Sequence, residues 1–177
     1  HAWPRAGKNS KSDAWRQLMR KLSDGIIVYT EQQQEELKVK MPFKKIYAAP
    51  NAVSYKEEMT AAIKEPINDF IYVGRLVASK KPLVMYNAFK KAIRDLPEEV
   101  NLIIIGEGPE RAGLLKMLKE DKLSNRILIP GAITNTHKLK EYYSHSLCSL
   151  SPGYVGLSIT QSLGYGVPML IAKEEPH

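Results

Sequence analysis

Two cations and a glycine-rich turn carry the chemistry legible in this chain. Lys80 and Lys81 come immediately before Pro82, a residue suited to the first position of a helix. The positive end of a helix dipole repels amines, so paired lysines there conflict with the local fold unless an anion offsets them. Arg75 lies just upstream, after the strand-like Phe70-Ile71-Tyr72-Val73 and Gly74. The second feature runs from Ser151 to Pro168 and reads as strand end, glycine turn, short helix over 157–165 and glycine stop. Gly153 and Gly156 let backbone approach a ligand closely. Amides at that helix start would face the strand tips, where open parallel sheets bind anionic ligands. The expected ligand carries phosphate. Alone, the glycine turn fits an ordinary strand-to-helix turn better than a ligand site, and the lysines fit two solvated amines equally well.

The elements that must position these residues alternate regularly. From Asp69 onward, strands over 70–73, 102–105, 127–129, 147–150 and 169–171 are separated by helices over 83–95, 111–120, 137–144 and 157–165. Five strands joined by helices predict an α/β, doubly wound, parallel sheet. Upstream, a helix is expected after Ser12 or Asp13, with Trp15, Leu18, Met19 and Leu22 as its core stripe. A strand over 25–29, a helix over 31–38 and a strand over 45–48 then form a further βαβ unit. Residues 54–66 are charged and end at Glu65-Pro66, which places a crossover between two domains there.

Other motifs have less to say. Gly106-Glu107-Gly108-Pro109 follows a β-branched strand, but Glu107 would bring a carboxylate toward ligand charge, so a tight turn or a contact on the sugar side suits it better than phosphate binding. Thr134, Asn135, Thr136 and Lys138 offer either base-reading groups or a helix cap. Tyr142-Tyr143 reads as packing, and Cys148 as a packed thiol in an apolar strand. The four histidines are far apart in sequence, so no metal is expected.

Taken in order, Val73-Gly74-Arg75-Leu76 with Lys80, Ile105-Gly106-Glu107-Gly108-Pro109-Glu110-Arg111, Ile129-Pro130-Gly131 and the Gly153–Pro168 segment resemble the C-terminal, donor-binding domain of GT-B glycosyltransferases. The nearest group is the retaining, GT4-like (group 1) enzymes. The resemblance covers roughly residues 67–177 and implies a Rossmann-like domain that is truncated at its C-terminus. Residues 1–60 then correspond to the tail of an acceptor-side N-terminal domain and its linker. The chain is expected to be a fragment, and not to turn over by itself.

The resemblance implies roles as well. Arg75 and Lys80, with Gly156, Leu157 and Ser158, would bind the donor diphosphate. Gly131, Ala132 and Ile133 would hold the nucleobase, and Gly106, Gly108, Gly153, Tyr154 and Val155 would face the sugar. The family carries one glutamate for the donor sugar and a second for the ribose; here Gly153 and Gln161 stand at those positions. Gln161 can still hydrogen-bond a ribose hydroxyl, since its amide both donates and accepts. Gly153 supplies nothing, so no catalytic residue is assigned. The implied function is retaining, metal-independent sugar transfer from a nucleotide-diphosphate sugar, UDP or GDP, with no cofactor. A glycan or lipid-linked acceptor would bind through the N-terminal domain. A cytoplasmic setting is implied, with the full-length protein peripheral to the inner face of the membrane, and polysaccharide biosynthesis as its process. A sugar-nucleotide epimerase of GT-B architecture is the alternative enzyme.

Bulk properties bound these readings. Lys and Arg total 26 against 19 Asp and Glu, giving a net charge of +7. That permits phosphate, nucleic acid or an anionic surface as partner. A basic polyanion-binding module is therefore the non-enzyme alternative. The charge is spread along the chain without interleaved aromatic residues, which disfavours nucleic acid. A single cysteine rules out an intrachain disulfide, and no apolar run approaches the ~20 residues of a membrane span.

Overall fold

The computed structural model describes residues 11–50, 57–60 and 64–173. The chain divides into two compact units, 1–52 and 53–177. The first unit contains α1 (Lys11–Leu22), β1 (Gly25–Val28), α2 (Glu31–Lys40) and β2 (Lys45–Ala48). β1 and β2 pair in parallel, Gly25 opposite Lys45 and Val28 opposite Ala48. Thr30 starts α2, its side chain accepting from the Gln33 amide at 3.1 Å. Val28, Leu37 and Ile46 form the small core of this unit.

The expected core stripe of α1 is not core. Trp15 is 68% exposed and Leu22 72%, with Leu18 and Met19 also exposed, whereas Asp13 and Arg20 are buried. Helical periodicity identifies which face seeks cover, but not whether nearby chain provides it. Here the described residues leave the apolar face open.

The second unit is a five-stranded sheet. Its elements are β3 (Asp69–Val73), α3 (Pro82–Ala92), β4 (Leu102–Ile105), α4 (Arg111–Glu120), β5 (Ile127–Gly131), α5 (Thr136–Ser144), β6 (Ser146–Ser151), α6 (Ser158–Gly164) and β7 (Met169–Ile171). A short 3-10 turn, Ala78–Lys80, precedes α3. The strand order is β5-β4-β3-β6-β7 and every pairing is parallel. All four residues of β4 are buried, as a strand covered on both faces requires. One face packs Tyr72, Leu102 and Ile104 with Met85, Tyr86, Phe89 and Leu114. The other packs Ile71, Ile103 and Ile105 with Leu139, Tyr143 and Tyr165. These two layers make the sheet doubly wound. Part of the expected crossover segment, residues 51–56 and 61–63, lies outside the described residues.

Several details follow the sequence reading and one extends it. Pro82 occupies the first turn of α3. Tyr143 is buried and stacks on Tyr165 at 4.8 Å, Tyr142 is half-buried, and Cys148 is buried. Asn135 is a helix cap, accepting from the Lys138 amide at 3.0 Å. Beyond these, Asp121 at the end of α4 ties the helices of one layer together: it accepts from the Tyr86 hydroxyl at 3.0 Å and pairs with Lys90, both on α3.

Candidate functional site

The sheet order puts β3, first in sequence within this unit, beside β6. The chain winds outward from β3 through β4 to β5, then crosses to β6 and β7, so the loops after β3 and β6 leave in opposite directions. Open α/β sheets hold ligands in the crevice at such a point. Those two loops contain Arg75, Lys80 and the glycine turn 153–156.

The β3 loop is fixed from below and from one side. The Tyr72 hydroxyl donates to the Arg75 carbonyl oxygen at 3.0 Å, and burial pushes the Tyr72 phenol up to about 12, partly offset by Arg75, so it stays a neutral donor. The Leu76 amide donates to the Glu107 carbonyl at 2.8 Å, and the Leu76 carbonyl accepts from the Glu110 amide at 3.0 Å. Leu76 itself is fully buried, which leaves Arg75 exposed above it.

Gly106 and Gly108 explain how two loops can come so close. Both have positive φ, 155° and 152°. A Cβ on Gly106 would stand 1.9 Å from the Gly74 carbonyl oxygen, and one on Gly108 2.3 Å from that of Leu76. Sequence reading put these glycines on the sugar side or in a tight turn; the structure gives the space of their side chains to protein backbone. Glu107 turns its carboxylate to Arg111, with Nε 3.2 Å away. Its charge is thereby kept in an ion pair, which answers the objection it raised.

The second loop is held by Lys80. Its ammonium donates to the Val155 carbonyl at 2.8 Å and to the Tyr154 carbonyl, and lies 4.7 Å from the centre of the Tyr154 ring. Burial, and next the neighbouring Arg75, hold its pKa below the ordinary lysine value. Lys81 follows in a left-handed conformation, φ 51°, and its carbonyl accepts the first amides of α3 from Val84 and Met85. The conflict read in the sequence is thus met in part by carbonyl dipoles.

Gly156, Leu157 and Ser158 lead into α6. The Ser158 hydroxyl donates to the same Val155 carbonyl at 3.1 Å, and the Gln161 amide closes the first helical turn onto Leu157. The amides before it lie outside the helical ladder. Leu157 and Tyr154 are exposed, Gln161 is half-buried on α6, and Val155 and Gly153 are buried. Gly153 therefore does not open toward solvent.

Gly131, Ala132 and Ile133 lie at the same C-terminal edge of the sheet, because the Gly106 amide donates to Gly131 at 2.9 Å and the Gly74 amide to Ile105 at 3.0 Å. Gly131 is buried, and a Cβ on it would meet Glu107 Oε1 at 2.9 Å. Ala132 and Ile133 border an 870 Å³ cleft along the sheet edge, between β5 and α5, with Leu128, Pro130, Lys138 and Tyr142. Arg75, Lys80 and the 153–158 loop do not line it. The structure thus joins Arg75, Lys80 and the 153–158 loop closely, and the 131–133 loop only through the strand ends. Tyr72 and Ser79 were not singled out in the sequence. A strand tyrosine has no sequence mark for a loop-facing hydroxyl, and the part Ser79 plays lies in its backbone.

Among the described residues no group of three or more His, Cys, Asp or Glu could hold a metal ion, and no helix is long and apolar enough to cross a membrane.

Known proteins resemble this chain in sequence and in fold. The GtfA subunit of UDP-N-acetylglucosamine–peptide N-acetylglucosaminyltransferase from Streptococcus agalactiae is 30% identical over 97 residues, which is 55% of this chain and 19% of that protein. The pneumococcal O-GlcNAc transferase GtfA, solved with UDP and GlcNAc, superposes with a TM-score of 0.66 at 23% identity, over 87% of this chain and 31% of that one. HepE of Anabaena, solved with UDP and glucose, gives a TM-score of 0.62 at 13% identity, over 98% of this chain and 51% of the other. The chain thus spans only part of each relative. Residues 55–177 match the model of the glycosyl transferases group 1, and the chain belongs to that family, whose GT-B, Rossmann-like C-terminal domain its five-stranded sheet represents.

Proposed function

We propose that this chain is the donor-binding part of a retaining, metal-independent glycosyltransferase, and that its donor is a UDP-sugar. The observation that carries the reading is the convergence of Arg75, Lys80 and the 153–158 loop at the sheet's switch point. UDP is favoured over GDP because UDP is the nucleotide in the complexes of the pneumococcal and Anabaena proteins.

Negative charge grows on the departing diphosphate as the glycosidic bond breaks. Fixed cations therefore stabilise the transition state more than the bound donor. Arg75, exposed above the crevice, supplies a planar fork of donors matched to phosphate oxygens. Lys80 supplies the one ammonium hydrogen left after its two carbonyl bonds. Gln161 would bind the ribose, and residues 131–133 the uracil. In this reading residues 1–60 belong to an acceptor-side domain, a glycan or lipid-linked acceptor binds there, and the full-length protein works in the cytoplasm at the inner face of the membrane.

Calorimetric titration with UDP, GDP, ADP and uridine tests the proposal. Binding of UDP well above the other diphosphates, with uridine much weaker, is expected. Equal affinity for UDP and uridine would remove the diphosphate clamp, and preference for GDP would reassign the donor. Product analysis with the full-length protein, free sugar transfer against epimerised nucleotide sugar, decides between the two enzyme classes.

A further inference from the structure

Gly153 is buried, and a Cβ built on it would stand 2.4 Å from the Ser79 carbonyl oxygen, 2.8 Å from the Lys80 carbonyl carbon and 2.9 Å from Lys80 Cα. All three are backbone atoms, so no side-chain rotation can relieve the contact. We infer that Gly153 is a positioning residue: its bare α-carbon seats the Ala78–Lys80 turn on the glycine loop and so sets the Lys80 ammonium against the Tyr154 and Val155 carbonyls.

The contacts around this point form one interlock. The Tyr154 amide donates to the Ser79 carbonyl at 3.3 Å, beside the glycine. From the same turn the Lys80 side chain reaches back to the two carbonyls that follow Gly153, and its ammonium rests near the Tyr154 ring. Backbone contact in one direction and side-chain contact in the other fix the turn relative to the loop. An ammonium has three hydrogens, and two are committed here. The direction of the third, and therefore where an anion can meet Lys80, depends on how closely the turn sits on Gly153.

This changes the meaning of the absent acid. Position 153 is not an open pocket from which a carboxylate has been removed, because the space is filled by chain. A glutamate placed there would displace the turn and put a negative charge beside Lys80, competing with phosphate for its remaining hydrogen. Restoring the acid therefore damages the site. The geometric seat stands by itself; its effect on ligand affinity rests on the diphosphate reading above.

The test uses the full 177-residue chain with Gly153→Ala and Gly153→Glu. Amide hydrogen exchange is followed without ligand, and UDP and uridine are titrated into each protein. Exchange should rise in segments 77–81 and 151–157 of both variants and stay unchanged in the strands β3 and β4. UDP affinity should fall about tenfold in Gly153→Ala, the scale of overpacking strain, while uridine affinity stays within about twofold. Unchanged protection in both segments of Gly153→Ala overturns the inference. So does tighter UDP binding by Gly153→Glu, or loss of protection across the whole sheet in Gly153→Ala. Should the parent chain not bind UDP while Gly153→Ala loosens both segments, the seat is upheld and the diphosphate reading fails. Gly153→Ala adds one methyl group, so it decides the matter even where Gly153→Glu does not fold.

Discussion

Replacing Lys80 by alanine separates the diphosphate from the rest of the nucleotide. The ammonium has one hydrogen left for phosphate, and a hydrogen bond between charged partners contributes about 1.5–3 kcal/mol. Lys80 is half-buried, so salt screens that interaction less than it would at the exposed Arg75. Lys80→Ala should thus weaken UDP binding by about 10- to 150-fold. Loss of the cation also removes the Lys80 donor from the Tyr154 carbonyl and leaves the Val155 carbonyl with the Ser158 hydroxyl alone, which loosens the loop and pushes the result toward the upper end. Uridine has no phosphate and should bind within about twofold of the parent. Calorimetry at two salt concentrations reads both effects, with Arg75→Ala as the salt-sensitive comparison. Equal losses for UDP and uridine, or no loss for UDP, would refute the reasoning.

Three further outcomes can be checked. Burial and Arg75 lower the pKa of Lys80, so it loses its proton earlier than an ordinary lysine as pH rises; UDP affinity should begin to fall below the usual lysine range, and a fall only within that range would remove this link. Leu76→Ala should destabilise the second unit by about 2–5 kcal/mol in denaturant melts, because Leu76 is fully buried and its backbone joins the Arg75 loop to residues 107–110; a cost under about 1 kcal/mol would show that the loop repacks. The hydrogen bond from Lys90, aided by that from Tyr86 and opposed by burial, holds the Asp121 carboxyl below the usual aspartate value, so its stabilisation is present above that value and is lost as pH falls through the lower folded one. Asp121→Asn should flatten this part of the acid limb in a plot of melting temperature against pH, and an unaltered slope would count against the tie between α3 and α4.

The second unit was largely legible because its strands are short apolar runs between polar helices. The strands 102–105 and 169–171 and the helix 111–120 have the boundaries their sequence predicts. Burial on both faces gave β4 a continuous run, Leu102-Ile103-Ile104-Ile105, which cannot be mistaken for an exposed edge. In the first unit the same reasoning found the elements but misjudged α1. Periodicity is a property of one helix, whereas cover is a property of its neighbours. The site divides the same way. Lys80 and Lys81 stood out because charge at a helix start is a local conflict, visible in a few residues, and Arg75 through its place in the family motif. The close approaches at Gly106, Gly108 and Gly153 were visible only as glycines, because what each meets lies in a distant part of the sequence.

Lys80 shows why a local conflict in sequence need not be answered by a ligand alone. An ammonium before a helix could have been satisfied by water, by an anion or by protein. The fold answers first with two backbone carbonyls and a ring from the neighbouring loop, and keeps one hydrogen in reserve. Such an arrangement holds the cation in place before any anion arrives, so little side-chain freedom remains to be lost on binding. It also couples the β3 loop to the β6 loop: whatever moves the 153–156 segment redirects the charge. The consequence is that the proposed donor site depends on the fit between two backbone segments as much as on the charges it presents.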